Sequence, residues 1–277
     1  MLPADSHVHS QWSWDALSGS MEASCAHAIE IGLPSIAFTE HADFTRWSIP
    51  ADGVAAMPEQ FQQLVRPDGL FHPPPFEVAG YAKCLDRCRV RYPQLRILSG
   101  VELGEPHWHL AESAKLLGEY EFDRIVGSVH SITKEGASLV VDRSFATHDA
   151  NDVVRSYLSE VLCMIRSSDQ FTILGHVDYP LRAWPATAGP LAPDRFEDEF
   201  RAVLAALAES DRTLEVNTRM LPPFALLTWW REVGGKSLSF GSDAHEPAGI
   251  ARDFATATAM AEAAGFRADG VDLWARR

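Results

Sequence analysis

Basic residues are scarce in this chain. Its 24 lysines and arginines are outnumbered by 38 aspartates and glutamates, for a formal net charge of -14. Contacts to a phosphate backbone need clustered Lys and Arg, so a nucleic-acid partner is not expected. Long apolar runs are missing as well: nothing approaches the roughly 18 apolar residues of a membrane helix, which argues against a membrane partner. No basic segment followed by an apolar one precedes the stretch "ADSHVHSQWSWDA". Without that secretory pattern the expected localisation is cytoplasmic. Cysteine is sparse too. Cys84 and Cys88 in "KCLDRC" stand four apart, side by side on a helix, but no second pair completes a zinc site, and free thiols are the better reading.

The chain does have the means to build a large core. A hydrophobic share of 46% against a charged share of 22% is that of a globular protein, and 277 residues suit a single (β/α) barrel. Short apolar, β-branched runs recur: "SIAFTEH", "RILSGVEL", "RIVGSVHSI", "TILGHVDYP", "TLEVNTR" and "SLSFGSDAH". Amphipathic stretches such as "GSMEASCAHAIEIG" and "DANDVVRSYLSEVLCMIRSS" lie between them, with Gly32 and Gly265 where helix stops belong. Strands alternating with helices predict a parallel sheet. With the opening strand there are about seven units, so the expected fold is α/β, a TIM-like barrel one unit short of the regular eight, in a single domain over residues 1–277. The main irregular insertion, at about residues 44–79, is rich in proline and glycine and predicts a long loop over the barrel mouth.

In "DSHVH", His7 and His9 are two apart, and on a strand they share a face. Two neutral imidazoles on one face can grip a metal ion. The plain alternative is a solvated strand face with Asp15 capping the next helix. The rest of the chain bears on the choice, because nearly every apolar run ends in a ligand type: His41, Glu102, His130, His176, and Asp243 with His245. A lone histidine at a strand end is usually structural, but in a barrel all these ends converge on one face. Imidazole and carboxylate without thiolate suit Zn, Fe or Mn. His27, His72, His107, His109 and His148 fall in predicted helices or loops and read as surface or lid residues, with His107 and His109 close enough to Glu102 to line the pocket.

In chain order, "DSHVH", "TEH", "GVELG", "GSVHS", "GHVD", "EVN" and "GSDAH" resemble the polymerase and histidinol phosphatase (PHP) superfamily. "GVELGE" with "YEFDRIVGSVHSI" looks most like its monofunctional histidinol-phosphate phosphatases. The resemblance implies a distorted (β/α)7 barrel holding up to about three divalent transition-metal ions. The first ion would take His7, His9, Glu102 and Asp243; the second, Glu102, His130 and His176; the third, Asp15, His41 and His245. It also implies phosphate binding by Arg182 and Arg219, for which a surface salt bridge is the alternative, and makes Glu40, Asp178 and Asn217 groups that orient the ligands.

The implied activity is hydrolysis of a small phosphomonoester, L-histidinol phosphate, to histidinol and phosphate in histidine biosynthesis. No catalytic residue is required beyond water activated between cations, which at separations of about 3.5–4 Å also stabilise the attacking and leaving oxygens. Asp43, Phe44 and Trp47 are the nearest candidates to recognise the cationic, aromatic alcohol. The long loop and "EPHWH" depart from the phosphatase pattern. Two other readings compete: a nucleotide or oligonucleotide phosphodiesterase, which a basic groove would favour, and a catalytically silent PHP scaffold module, which degraded ligand positions would favour.

Overall fold

Strands in this chain are apolar on both faces, as strands covered by helices must be. The computed structural model describes residues 2–49, 51–134 and 136–276. Strands β1 (Asp5–Val8), β2 (Ser35–Ala42), β3 (Arg96–Gly104), β4 (Arg124–Ser128), β5 (Ile173–Leu174), β6 (Thr213–Asn217) and β7 (Ser237–Gly241) lie in that order, each parallel to the next. The sheet curls far enough for its ends to meet. His9 N–H donates to Ala244 O at 2.9 Å and Asp243 N–H to His7 O at 2.8 Å, joining the end of β1 to the segment after β7. Asp5 reinforces the join, accepting from Ser242 N–H at 2.9 Å and Ala251 N–H at 3.0 Å. This is an α/β fold with a curled, TIM-like sheet.

Helices α1 (Met21–Glu30), α2 (Val78–Arg91), α3 (Leu110–Leu117), α4 (Ala150–Ser167), α5 (Glu197–Glu209), α6 (Phe224–Glu232) and α7 (Phe254–Ala263) separate and follow these strands. The longest, α4, starts where the Asp149 carboxylate accepts from the backbone N–H groups of Asn151 and Asp152, and it buries Val153, Val154, Tyr157, Leu158, Val161, Met164 and Ile165 along one stripe. Gly32, at φ 72°, supplies the left-handed residue that ends α1, as expected from the sequence. Asp15 does not cap α1; Ser20 does, accepting from Ala23 N–H.

Three features depart from the sequence reading. Helices α3 and α6 occupy stretches that the sequence reading did not single out as helical. The chain ends in an antiparallel hairpin, β8 (Phe266–Asp269) with β9 (Leu273–Arg276), and β9 adds to the outer edge of β7. The insertion is an ordered layer, not an open loop, and it gives way to α2 at Val78. Trp47–Ser48 pairs with Leu70–Phe71, and Trp47, Ile49 and Phe71 form a small core with Trp14, Phe61 and Met57. No helix among the described residues is long and apolar enough to cross a membrane.

Candidate metal centre

The C-terminal strand ends converge, and their side chains define the site. The β2–β3 register sets His41 directly beside Glu102. Glu102 is fully buried and sits at the centre: its Oε2 lies 3.3 Å from His7 Nε2, 3.5 Å from His9 Nε2 and 3.0 Å from His41 Nδ1. Its Oε1 lies 2.9 Å from His176 Nε2 and 3.4 Å from His130 Nε2. Asp243 Oδ1 approaches His9 Nε2 at 3.4 Å, while Asp15 Oδ2 stands 3.4 Å from His41 Nε2 and 3.1 Å from His245 Nε2. Asp243 adopts a left-handed backbone at φ 52°, which turns its carboxylate inward after β7.

Protons alone satisfy this arrangement poorly. Imidazole nitrogens face each other at 3.1 Å in His7 and His9 and at 3.3 Å in His130 and His176. Among the described residues, Glu102 Oε2, His41 Nδ1, Asp43 Oδ1 and Asp15 Oδ1 are buried without a hydrogen-bond partner. A buried acceptor left so is costly, and divalent cations would satisfy several of these atoms at once. The donors are imidazole and carboxylate, a set suited to Zn, Fe or Mn. Without a cation, the carboxylates and imidazoles shift one another. Burial opposes the charged form of Glu102, but the imidazoles of His7, His41 and His130 outweigh it and hold its carboxyl well below the usual range. Burial likewise works against protonated His130, yet Glu102 and Asp43 push its imidazole up to about 10.

A second layer of buried polar groups holds the first. Glu215, on β6, accepts from His7 Nδ1 at 2.6 Å and from the backbone N–H of His176 at 2.8 Å. Glu40 accepts from Ser10 and Ser13, and Ser13 Oγ in turn touches His9 Nδ1 at 3.0 Å, so Glu40 acts on the histidine through a serine. Glu105 takes the N–H groups of His130 and Ser131 at 2.6 and 2.8 Å. Ser128 donates to Glu102 at 2.6 Å. Asn217 holds Glu215 at 3.0 Å, whereas Asp178 touches none of the candidate ligands and faces Arg182. Sequence reasoning missed Glu215 and Glu105. A carboxylate inside the apolar run "TLEVN" was the available signal for the first.

Above the cluster opens a cavity of about 670 Å³. Arg182 borders it, donating from Nη1 to Asp243 Oδ2 at 2.9 Å, while its Nε and Nη2 are buried without partners among the described residues. Arg219 is 47% exposed and touches His245 Nδ1 at 2.8 Å. The wall opposite is aromatic, formed by Trp14, Trp47, Phe61 and Phe71. Trp47 therefore lines the pocket as expected, and so does Asp43, although Trp14 Nε1 already occupies its Oδ2 at 2.8 Å. Phe44 does not line it; its ring packs beside His109 and the core under β3. His107 and His109 also lie outside the cavity, the latter bonded to Thr45 at 2.9 Å.

Known proteins resemble this chain in sequence and in fold. The family model described as "PHP domain" matches residues 5–219. A histidinol-phosphatase of Lactococcus lactis subsp. lactis is 27% identical over 88% of this chain and 85% of its own length. A probable histidinol-phosphatase of Clostridium acetobutylicum is 25% identical over 93% of this chain and 92% of its own. Among solved structures, histidinol phosphate phosphatase from Lactococcus lactis, complexed with zinc, L-histidinol and phosphate, superposes with a TM-score of 0.78. That pair shares 22% identity, over 96% of this chain and 94% of the other. The matched residues carry β1 to β6, and β7 returns Asp243 and His245 to the same cluster from beyond them. A curled parallel sheet with histidines and carboxylates gathered at its strand ends is thus the form taken here by a sequence that belongs to the PHP domain family.

Proposed function

We propose that this chain is a metal-dependent phosphomonoesterase that hydrolyses L-histidinol phosphate to histidinol and phosphate, a step of histidine biosynthesis, in the cytoplasm. The observation that carries the reading is the gathering of His7, His9, Asp15, His41, Glu102, His130, His176, Asp243 and His245 around one buried carboxylate beneath a pocket with two arginines. The named activity of two relatives that align over most of the chain supports it. We read the whole chain as one domain and its sheet as a distorted (β/α)7 barrel.

Up to three divalent ions would be held by this donor set: one by His7, His9, Glu102 and Asp243, one by Glu102, His130 and His176, and one by Asp15, His41 and His245. When bound, such ions acidify water and screen phosphate from an acidic protein. The chain's own groups do the rest. Arg182, which lines the cavity, supplies a guanidinium for phosphate oxygens, and Arg219 adds a second, more exposed one. The aromatic wall excludes water and gives a flat surface to an imidazole. Asp142, on the cavity rim beside Tyr179, adds negative charge for an ammonium group.

Steady-state rates on L-histidinol phosphate, a panel of other phosphomonoesters, nucleotide diesters and single-stranded DNA, under one metal condition, test the proposal. A much higher kcat/KM for L-histidinol phosphate is expected. Preference for a diester would overturn it in favour of a nuclease, and equal slow rates on every monoester would leave a generic phosphatase.

A further inference from the structure

The "EPHWH" stretch departs from the phosphatase pattern, and its first histidine takes no part in the pocket. His107 lies in the turn between β3 and α3, with its side chain only 2% exposed. Its Nε2 is 2.6 Å from Glu160 Oε1, which also accepts from Trp108 Nε1 at 2.8 Å. Both contacts fall on Oε1, which leaves Oε2 for another partner. One helical turn further along α4, on the same side, stands Cys163, an exposed thiol. Donor atoms of His107, Glu160 and Cys163 all lie within 4.8 Å of one another. His107 Nδ1 is buried and has no hydrogen-bond partner among the described residues.

From this juxtaposition we propose a second, peripheral metal site: His107, Glu160 and Cys163 bind one thiophilic divalent cation of the zinc class. Imidazole, carboxylate and thiolate are three of the ligand types that zinc takes in tetrahedral sites, and the exposed thiol leaves the fourth position open to water. A hard cation such as magnesium has no use for the sulfur. The site's place in the fold gives it a consequence. The turn that carries His107 also carries Glu105, whose carboxylate holds the backbone of His130. A cation here ties that turn to α4 from outside, while no ligand of the central cluster is shared.

The thiol provides a readout separate from turnover. Cys25, Cys84 and Cys88 are buried, so in the folded protein Cys163 is the cysteine open to alkylation. With the central cluster already loaded and free metal removed, iodoacetamide labelling of Cys163 is followed by mass spectrometry with and without added Zn²⁺. At a Zn²⁺ concentration ten times its dissociation constant, labelling should slow by about tenfold, and Mg²⁺ should have no effect. Glu160→Gln keeps an acceptor for Trp108 and should abolish the protection; His107→Ala should do the same. With Co²⁺, a sulfur-to-metal charge-transfer band should appear in the starting protein and vanish in Cys163→Ser. Unprotected labelling in the starting protein would overturn the site, and so would protection equal in Glu160→Gln, which would mean that the thiol binds zinc alone.

Discussion

Glu215 Oε1 lies 2.6 Å from His7 Nδ1, both side chains wholly buried. The contact places the His7 proton on Nδ1 and turns Nε2 toward Glu102 and His9, the orientation a metal-binding imidazole needs. Partners of this kind typically change metal affinity or activity by about 10–100-fold. Glu215→Gln should therefore lower metal affinity by that order while the fold persists, as measured by competition with a chelator. Unchanged affinity would show that packing alone orients the imidazole.

The number of converging ligands exceeds what one tetrahedral ion can use. The purified active protein should carry more than one transition-metal ion per chain and lose activity on chelation. Elemental analysis that found one ion or none in a fully active preparation would reject the cluster.

Glu102 contacts His7, His9, His41, His130 and His176 through its two oxygens. A neutral amide there bridges cations poorly, so Glu102→Gln should cost more turnover than the roughly 10–100-fold typical of an outer partner. His148→Ala should cost almost nothing, since that ring bonds Ser144 and Thr147 near the surface, away from the cluster. Paired kinetics and metal analysis of the two variants decide the point.

Arg182 and Arg219 should differ when replaced. Each charge-assisted phosphate contact contributes on the order of 1.5–3 kcal/mol. Arg182→Ala also strips a 2.9 Å partner from Asp243, so it should weaken inhibition by inorganic phosphate more than Arg219→Ala and lower metal affinity slightly. Phosphate inhibition unchanged in both variants would reject the assignment.

Gly127, on β4, shows how tightly the sheet is packed. A Cβ there would stand 2.4 Å from the Phe171 ring, a fully buried side chain that cannot step aside. Gly127→Ala should destabilise the protein by roughly 1–3 kcal/mol in denaturant unfolding. It should leave metal content unchanged at low temperature.

By itself the sequence determined the periodic elements and the kind of chemistry. Strands buried on both faces must be apolar, so polar residues at their ends, from His7 to His245, stood out against the runs that carried them. Gly32 announced a helix stop because only a residue without a Cβ adopts its backbone freely. What required the tertiary structure was every relationship set by register and by non-local packing. The sheet's curl brings Asp243 to His9, and the β2–β3 register puts His41 beside Glu102. Direction was equally hidden: Asp43, Phe44 and Trp47 are neighbours in sequence, yet Phe44 turns to the core under β3 while Trp47 faces the cavity across a two-residue strand pair. Glu215 was missed for the same reason. A carboxylate in the middle of a strand has meaning only once the buried imidazole it must pair with is known, and that partner comes from the far end of the chain, 208 residues away.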